Sequence, residues 1–214
     1  MIAVVDYGVG NLRSVSKALE HVGAEVVVTS DPATIESAGG VVLPGVGAFA
    51  HCMNNLVEAG LEGCVRAAAA SSRPFLGVCV GMQILFEESD EFGRVEGLGI
   101  LPGRVRRFEP GDHDAEEPAL KVPHMGWNEL TIRRRAPHLE GIADHSRVYF
   151  VHSYYVDTPD PSIVATTTSY GVDFVSSAWR DNIFATQFHP EKSQATGLAL
   201  LANFARLAAG RRAA

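Results

Sequence analysis

Four short apolar runs, separated by segments of helical spacing, constrain the fold of this chain more than any other feature. The runs are 2–6, 25–29, 41–43 and 75–78; the first reads as a buried strand and the other three as strand-like. Between the first two, Leu12, Val15, Leu19 and Val22 recur near helical spacing over 11–22, and Gly23 ends the segment. Asp31-Pro32 has the form of an N-cap followed by proline at the first helical position. Residues 52–70 and 81–88 read as further helices. Strands that alternate with helices require a largely parallel sheet covered on both faces. The second half changes character. Residues 104–108, 129–132, 147–151, 163–168, 172–179 and 183–187 read as shorter strands, which predicts an antiparallel or mixed extension. Residues 195–209 close the chain as a helix with Leu198, Leu201, Phe204 and Leu207 on its apolar face. The expected architecture is α/β: one doubly wound domain over 1–210 with a mixed, mostly parallel sheet, a frayed tail at 211–214, and an acidic surface loop at 109–118.

Composition narrows the function classes. A net charge of −7 argues against a nucleic-acid partner. No apolar run reaches the roughly 18 residues of a membrane helix, and MIAVVDYGVGN lacks the basic start of a signal peptide. The three cysteines, Cys52, Cys64 and Cys79, form neither a disulfide framework nor a zinc-site spacing, so a cytoplasmic location is expected.

One of these cysteines stands apart. In PFLGVCVGMQILF, residues 74–86, Cys79 sits between Gly77 and Gly81 where a strand turns into a helix. G-x-C-x-G in that position has the form of a nucleophile elbow, with glycines that let strand and helix close up. A helix N-terminus there favours thiolate. The competing reading is a buried structural cysteine, which suits Cys52 and Cys64 inside a helical segment. A thiol needs a base, and His189 in FATQFHPEKS follows a strand at a proline-stiffened turn, with Glu191 two residues on to orient it. Alone it reads as a loop histidine; with the elbow it becomes the candidate base. Gly45 and Gly47 of PGVGAF, residues 44–49, allow backbone N–H groups near Val46 to turn toward an oxyanion, and the Val80 N–H is a second donor. His124, Trp127, Tyr149 and His152 are polar-tipped aromatics on apolar segments, either core residues or markers of a site or interface. Asp6–Asn11 lacks the third glycine of a dinucleotide fingerprint, since position 13 is arginine. The arginines at 104, 106, 107 and 133–135 read as solvated faces.

GVCVGMQ at 77–83, PGVG at 44–47 and HPE at 189–191 together resemble the class I (triad) glutamine amidotransferases, a flavodoxin-like family. Within it, MIAVVDYGVGNLRSV, KVPHMGWNEL, YFVHSYY and HPEKS are similar to the glutaminase subunits of imidazole glycerol phosphate synthase. The resemblance implies a catalytic Cys79–His189–Glu191 triad and an oxyanion hole around Val46, Gly47 and Val80. It implies glutamine contacts from Gly45, Gln83, Ser153 and Tyr154, Ser153 standing where threonine is also common. It implies a partner, the (β/α)8 cyclase subunit HisF, met by Asn11, His124, Trp127, Tyr149 and Lys192. The partner would use the ammonia to convert the ribotide PRFAR to imidazole glycerol phosphate and AICAR. No metal or organic cofactor is implied. A free subunit is expected to idle until partner and ligand turn the PGVG strand. Two alternatives stay open: the glutaminase of another biosynthetic branch, and an inactive partner-binding subunit.

Overall fold

The computed structural model describes residues 1–109 and 120–210, so the acidic stretch lies almost wholly outside the described residues, as does the tail. The first half alternates as its pattern requires: β1 (Ile2–Val5), α1 (Leu12–His21), β2 (Val26–Thr29), α2 (Pro32–Ser37), β3 (Gly40–Gly45), α3 (Phe49–Glu58), α4 (Glu62–Ala70), β4 (Phe75–Cys79) and α5 (Val80–Gln83). Every residue of β1, β3 and β4 is buried, as continuous apolar strands between two helical layers must be. Asp31 caps α2, its carboxylate accepting from the backbone N–H groups of Ala33 and Thr34.

The second half contributes β5 (Glu88–Ser89), β6 (Val95–Glu96), β7 (Arg104–Arg107), β8 (His124–Glu129), β9 (Thr131–Ile132), β10 (Arg147–His152), β11 (Tyr154–Asp157), β12 (Val164–Tyr170), β13 (Val172–Arg180), β14 (Ile183–Thr186) and α6 (Gln194–Ala208). The main sheet runs β2-β1-β3-β4-β14-β13-β11-β7-β5-β6, with β12 on β13 and β9 on β12. Its heart, from β2 to β14, is parallel. The extension from β14 through β13 and β11 to β7 is antiparallel. β8 and β10 form a separate antiparallel ribbon. Of the ten phenylalanines, nine are fully buried, each worth about 1.5–3 kcal/mol. Phe92 is the exception, 88% exposed.

Three sequence expectations change. The helix expected over 52–70 is two helices, because Gly60 takes φ +69 and turns the chain after α3. The Gly60 and Leu61 N–H groups close that turn on the Val57 and Leu56 carbonyls, a C-terminal stop that only glycine enters freely. The helix expected over 81–88 stops at Gln83, because the Ile84 to Glu87 carbonyls receive N–H groups from residues 97–101 instead. The strand expected over 129–132 is the end of β8 followed by β9, and β11 had no sequence signal.

Candidate active site

The C-terminal ends of β3, β4 and β14 lie side by side, and Cys79 sits at the tip of the middle one. Its backbone is held at φ 57, ψ −115, a conformation that costs a residue with a side chain about 1–3 kcal/mol. Close packing around the turn imposes it. A methyl on Gly81 would overlap the Leu43 carbonyl, with the carbonyl carbon only 2.9 Å away. One on Gly45 would lie 2.8 Å from the Val80 carbonyl carbon, and one on Gly77 2.9 Å from the Gly81 oxygen. The glycines of both motifs therefore serve one purpose: β3, β4 and the first turn of α5 meet backbone to backbone. With four residues, α5 is too short for a strong macrodipole, so local N–H groups are what it offers the thiol.

His189 follows β14 and reaches Cys79 from the neighbouring strand. Its N–H donates to the Tyr149 carbonyl at 3.0 Å, and its own carbonyl accepts from Ser193 Oγ at 2.6 Å. Ser193 Oγ in turn accepts from the Tyr149 N–H at 3.0 Å, so β10 grips the turn at both ends. Nδ1 of His189 pairs with Oε1 of Glu191 at 2.8 Å, both side chains almost wholly buried. Burial by itself pushes the imidazolium down. Its interactions with the neighbouring Cys79 and Glu191 outweigh that and raise the His189 pKa to about 10. The histidine thus keeps its proton across the physiological range, with Glu191 orienting the ring.

A cavity of about 610 Å³ opens beside the thiol. Val46, Gly47, Val80, Gln83, Ser153, Tyr154 and Lys192 line it together with Cys79 and His189. Gly45 does not; it packs beneath, against the elbow. Gln83 is buried, and its amide is already engaged: Nε2 donates to Gln187 Oε1 at 2.9 Å and to the Tyr154 carbonyl at 3.1 Å. Gln187, fully buried, then donates from Nε2 to Cys79 Sγ at 3.9 Å. Sequence reasoning placed Gln187 at a strand end only, and a lone glutamine there carries no signal. Glu91, Phe92 and Arg107 also line the cavity unanticipated; Glu91 Oε2 accepts from the Phe49 N–H at 2.6 Å and caps α3 across 42 residues.

The residues expected at a partner surface divide. Trp127 and Tyr149 are cross-strand partners packed edge to face at 6.1 Å, and the Lys192 ammonium lies 5.9 Å from the Tyr149 ring. Asn11 is half-buried at the start of α1, beside the Gly8–Gly10 turn. His124 is different: it is buried, stacked on Tyr170 at 3.9 Å and on Phe150 at 4.8 Å, and is not a surface contact. Its place in the molecule is a hydrogen-bond chain. The Tyr154 carbonyl can only accept, so the proton on His152 is at Nδ1, 2.9 Å away. His152 Nε2 must then accept from His124 Nδ1 at 2.9 Å, and His124 Nε2 from the Asn128 amide at 3.3 Å. Burial keeps both rings neutral, lowering His124 to about 4 and His152 to about 3.

A cysteine on a strand-to-helix turn with a carboxylate-oriented histidine beside it, at the C-terminal ends of parallel strands, is built for acyl transfer through a thiol, and that is the class of enzyme this fold and site define. The chain belongs to the class-I glutamine amidotransferase family, which matches residues 3–207, and within it to the HisH subunits of imidazole glycerol phosphate synthase. It is 54% identical over 204 residues to the HisH subunit of Geobacter metallireducens, covering 95% of this chain and 97% of the relative. It is 58% identical over 206 residues to that of Nitrosomonas europaea, covering 95% and 96%. Among solved structures, a glutamine amidotransferase aligns with a TM-score of 0.73 at 20% identity, covering 98% of this chain and all of the other. PurLQS from Thermotoga maritima aligns at 0.70 and 18% identity, covering 95% and 96%. At such identities these structures speak for the fold alone.

Proposed function

We propose that this chain is the glutaminase subunit of an imidazole glycerol phosphate synthase and that Cys79, His189 and Glu191 carry its chemistry. The observation that bears most weight is the His189–Glu191 pair held at 2.8 Å against the elbow cysteine. Cys79 Sγ attacks the side-chain carbonyl carbon of glutamine, and the C=O electrons move onto oxygen. As the tetrahedral intermediate collapses the C–N bond breaks, His189 gives its proton to the nitrogen, and ammonia leaves a glutamyl thioester. Water then attacks the thioester and passes a proton to His189; the C–S bond breaks and glutamate departs. Glu191 steadies the imidazolium in both steps. Val80 N–H, just past the nucleophile, is the resident oxyanion donor.

Ammonia is useful only if it is delivered unprotonated, so a closed interface is required. The Trp127–Tyr149–Lys192 patch supports a docked partner, the cyclase subunit HisF, in a heterodimer that turns PRFAR into imidazole glycerol phosphate and AICAR. Within the described residues no helix is long and apolar enough to cross a membrane, and we place the complex in the cytoplasm, serving histidine biosynthesis. The test is complementation of a histidine auxotroph that lacks its own glutaminase subunit. The wild-type chain restores growth on low ammonia, and Cys79→Ala restores it only when ammonia is abundant. Failure of the wild-type chain beside its cognate cyclase subunit would overturn the assignment.

A further inference from the structure

Two buried side chains that this chemistry does not use close on the strand beside the nucleophile. Tyr7, just past β1, donates its hydroxyl to the Pro44 carbonyl at 2.5 Å. Cys52, in α3, donates its thiol to the Val46 carbonyl at 3.4 Å. Burial pushes the Cys52 thiol up to about 11 and the Tyr7 phenol well above its ordinary value, so both groups keep the protons they donate.

The register of β3 shows what they hold. β3 pairs with β1 on one edge and with β4 on the other. Val41 N–H donates to the Pro74 carbonyl, so odd-numbered residues of β3 address β4 and even-numbered ones address β1. The Pro44 carbonyl accordingly lies on the β1 side, where Tyr7 takes it, and Cys52 takes the Val46 carbonyl one residue past the end of β3. Gly45, paired with Cys79, presents its carbonyl toward the elbow. A trans peptide points its N–H opposite to its C=O, so the Val46 N–H is turned away from the nucleophile. Where a developing oxyanion needs a donor, the strand shows an acceptor.

We propose that Tyr7 and Cys52 are positioning residues: they clamp the carbonyls on either side of the Gly45–Val46 peptide and keep its N–H turned from Cys79 until partner binding overcomes them. The inference rests on the glutaminase reading above. An oxyanion donor acts on the tetrahedral state rather than on bound glutamine, so releasing the clamp alters kcat and leaves KM in place.

The test uses the full chain as wild type, Tyr7→Phe, Cys52→Ala and Cys52→Ser, each checked for a folded melting transition. Glutamate release is measured alone and with saturating cyclase subunit plus PRFAR. Tyr7→Phe and Cys52→Ala each raise the unstimulated kcat by about three- to tenfold, the worth of one hydrogen bond, with KM within about twofold. Cys52→Ser keeps a donor and stays with the wild type. If Tyr7→Phe does not fold, the Cys52 pair decides alone. Unstimulated rates unchanged in Tyr7→Phe and Cys52→Ala, beside a normally stimulated wild type, overturn the clamp, and so does Cys52→Ser behaving as Cys52→Ala. A wild type that partner and PRFAR do not stimulate overturns the reading beneath it instead.

Discussion

Replacing Gly197 with alanine should cripple the enzyme from a helix that holds none of its chemistry. Gly197 lies in the first turns of α6, against the turn that carries His189 and Glu191. A methyl group there would overlap the Pro190 carbonyl, with its carbon 2.7 Å and Ser193 Cβ 2.9 Å away. Comfortable packing begins near 3.4 Å, and both neighbours are short, rigid groups. Relief therefore requires the His-Pro-Glu turn to retreat by at least about 0.7 Å, and by more at the carbonyl oxygen. Misplacing a catalytic group by about 1 Å costs on the order of 100-fold. Overpacking adds about 1–3 kcal/mol of instability. The assay is partner-stimulated glutamate release, read beside urea unfolding. The control is Gly63→Ala, at an exposed position of α4 with no packed neighbour within 4 Å of the new methyl. That change should stabilise by about 0.5–1 kcal/mol and leave turnover alone. A Gly197→Ala enzyme within threefold of wild type would refute the claim that α6 sets the histidine's position.

Further outcomes follow from the same geometry. His189 is raised from 6.5 to about 10, so the acid proposed to protonate the leaving group persists up to that pH and is lost above it; kcat/KM should fall along an alkaline limb near pH 10. By the same linkage, the stability His189 contributes is complete below about 6.5 and drains away as pH rises toward 10. Glu191→Gln removes one of the groups holding the proton and should shift that limb down by about 1–3 units in a pH–rate profile. Gln187→Ala strips Gln83 of one of its two acceptors and should cost about 1–3 kcal/mol in urea unfolding while lowering kcat. Trp127→Ala, on a ring 39% exposed, should weaken binding of the cyclase subunit about 30-fold by calorimetry, near 2 kcal/mol, with the free chain's melting unchanged.

The elbow was legible because its requirements are local. Gly77, Cys79 and Gly81 lie within five residues, and the backbone contact they permit is written in their spacing. Most of the parallel heart was legible for a similar reason, since the fully buried strands β1, β3 and β4 cannot hide among polar residues. His189 and Cys79 stand 110 positions apart in the chain. Composition and periodicity say nothing of their meeting; the pairing of β14 with β4 accomplishes it, with Thr186 beside Val78. Gln187 was missed because its role comes entirely from that same adjacency. His124 was misplaced because a polar-tipped aromatic on an apolar strand fits surface and core equally well; the facing His152 and stacked Tyr170 decide for the core. The split at Gly60 was missed because apolar spacing continues across it through Leu56, Leu61 and Val65, while the glycine's positive φ is a matter of backbone.

The most direct test of the account is glutamate release from glutamine by the purified chain, alone, with HisF and PRFAR, and as Cys79→Ala. The account predicts slow release alone, large stimulation by partner and ribotide together, and none from the variant under any condition. Brisk release indifferent to that partner would keep the thiol chemistry but contradict the assignment to this synthase, and release by Cys79→Ala would contradict the triad itself.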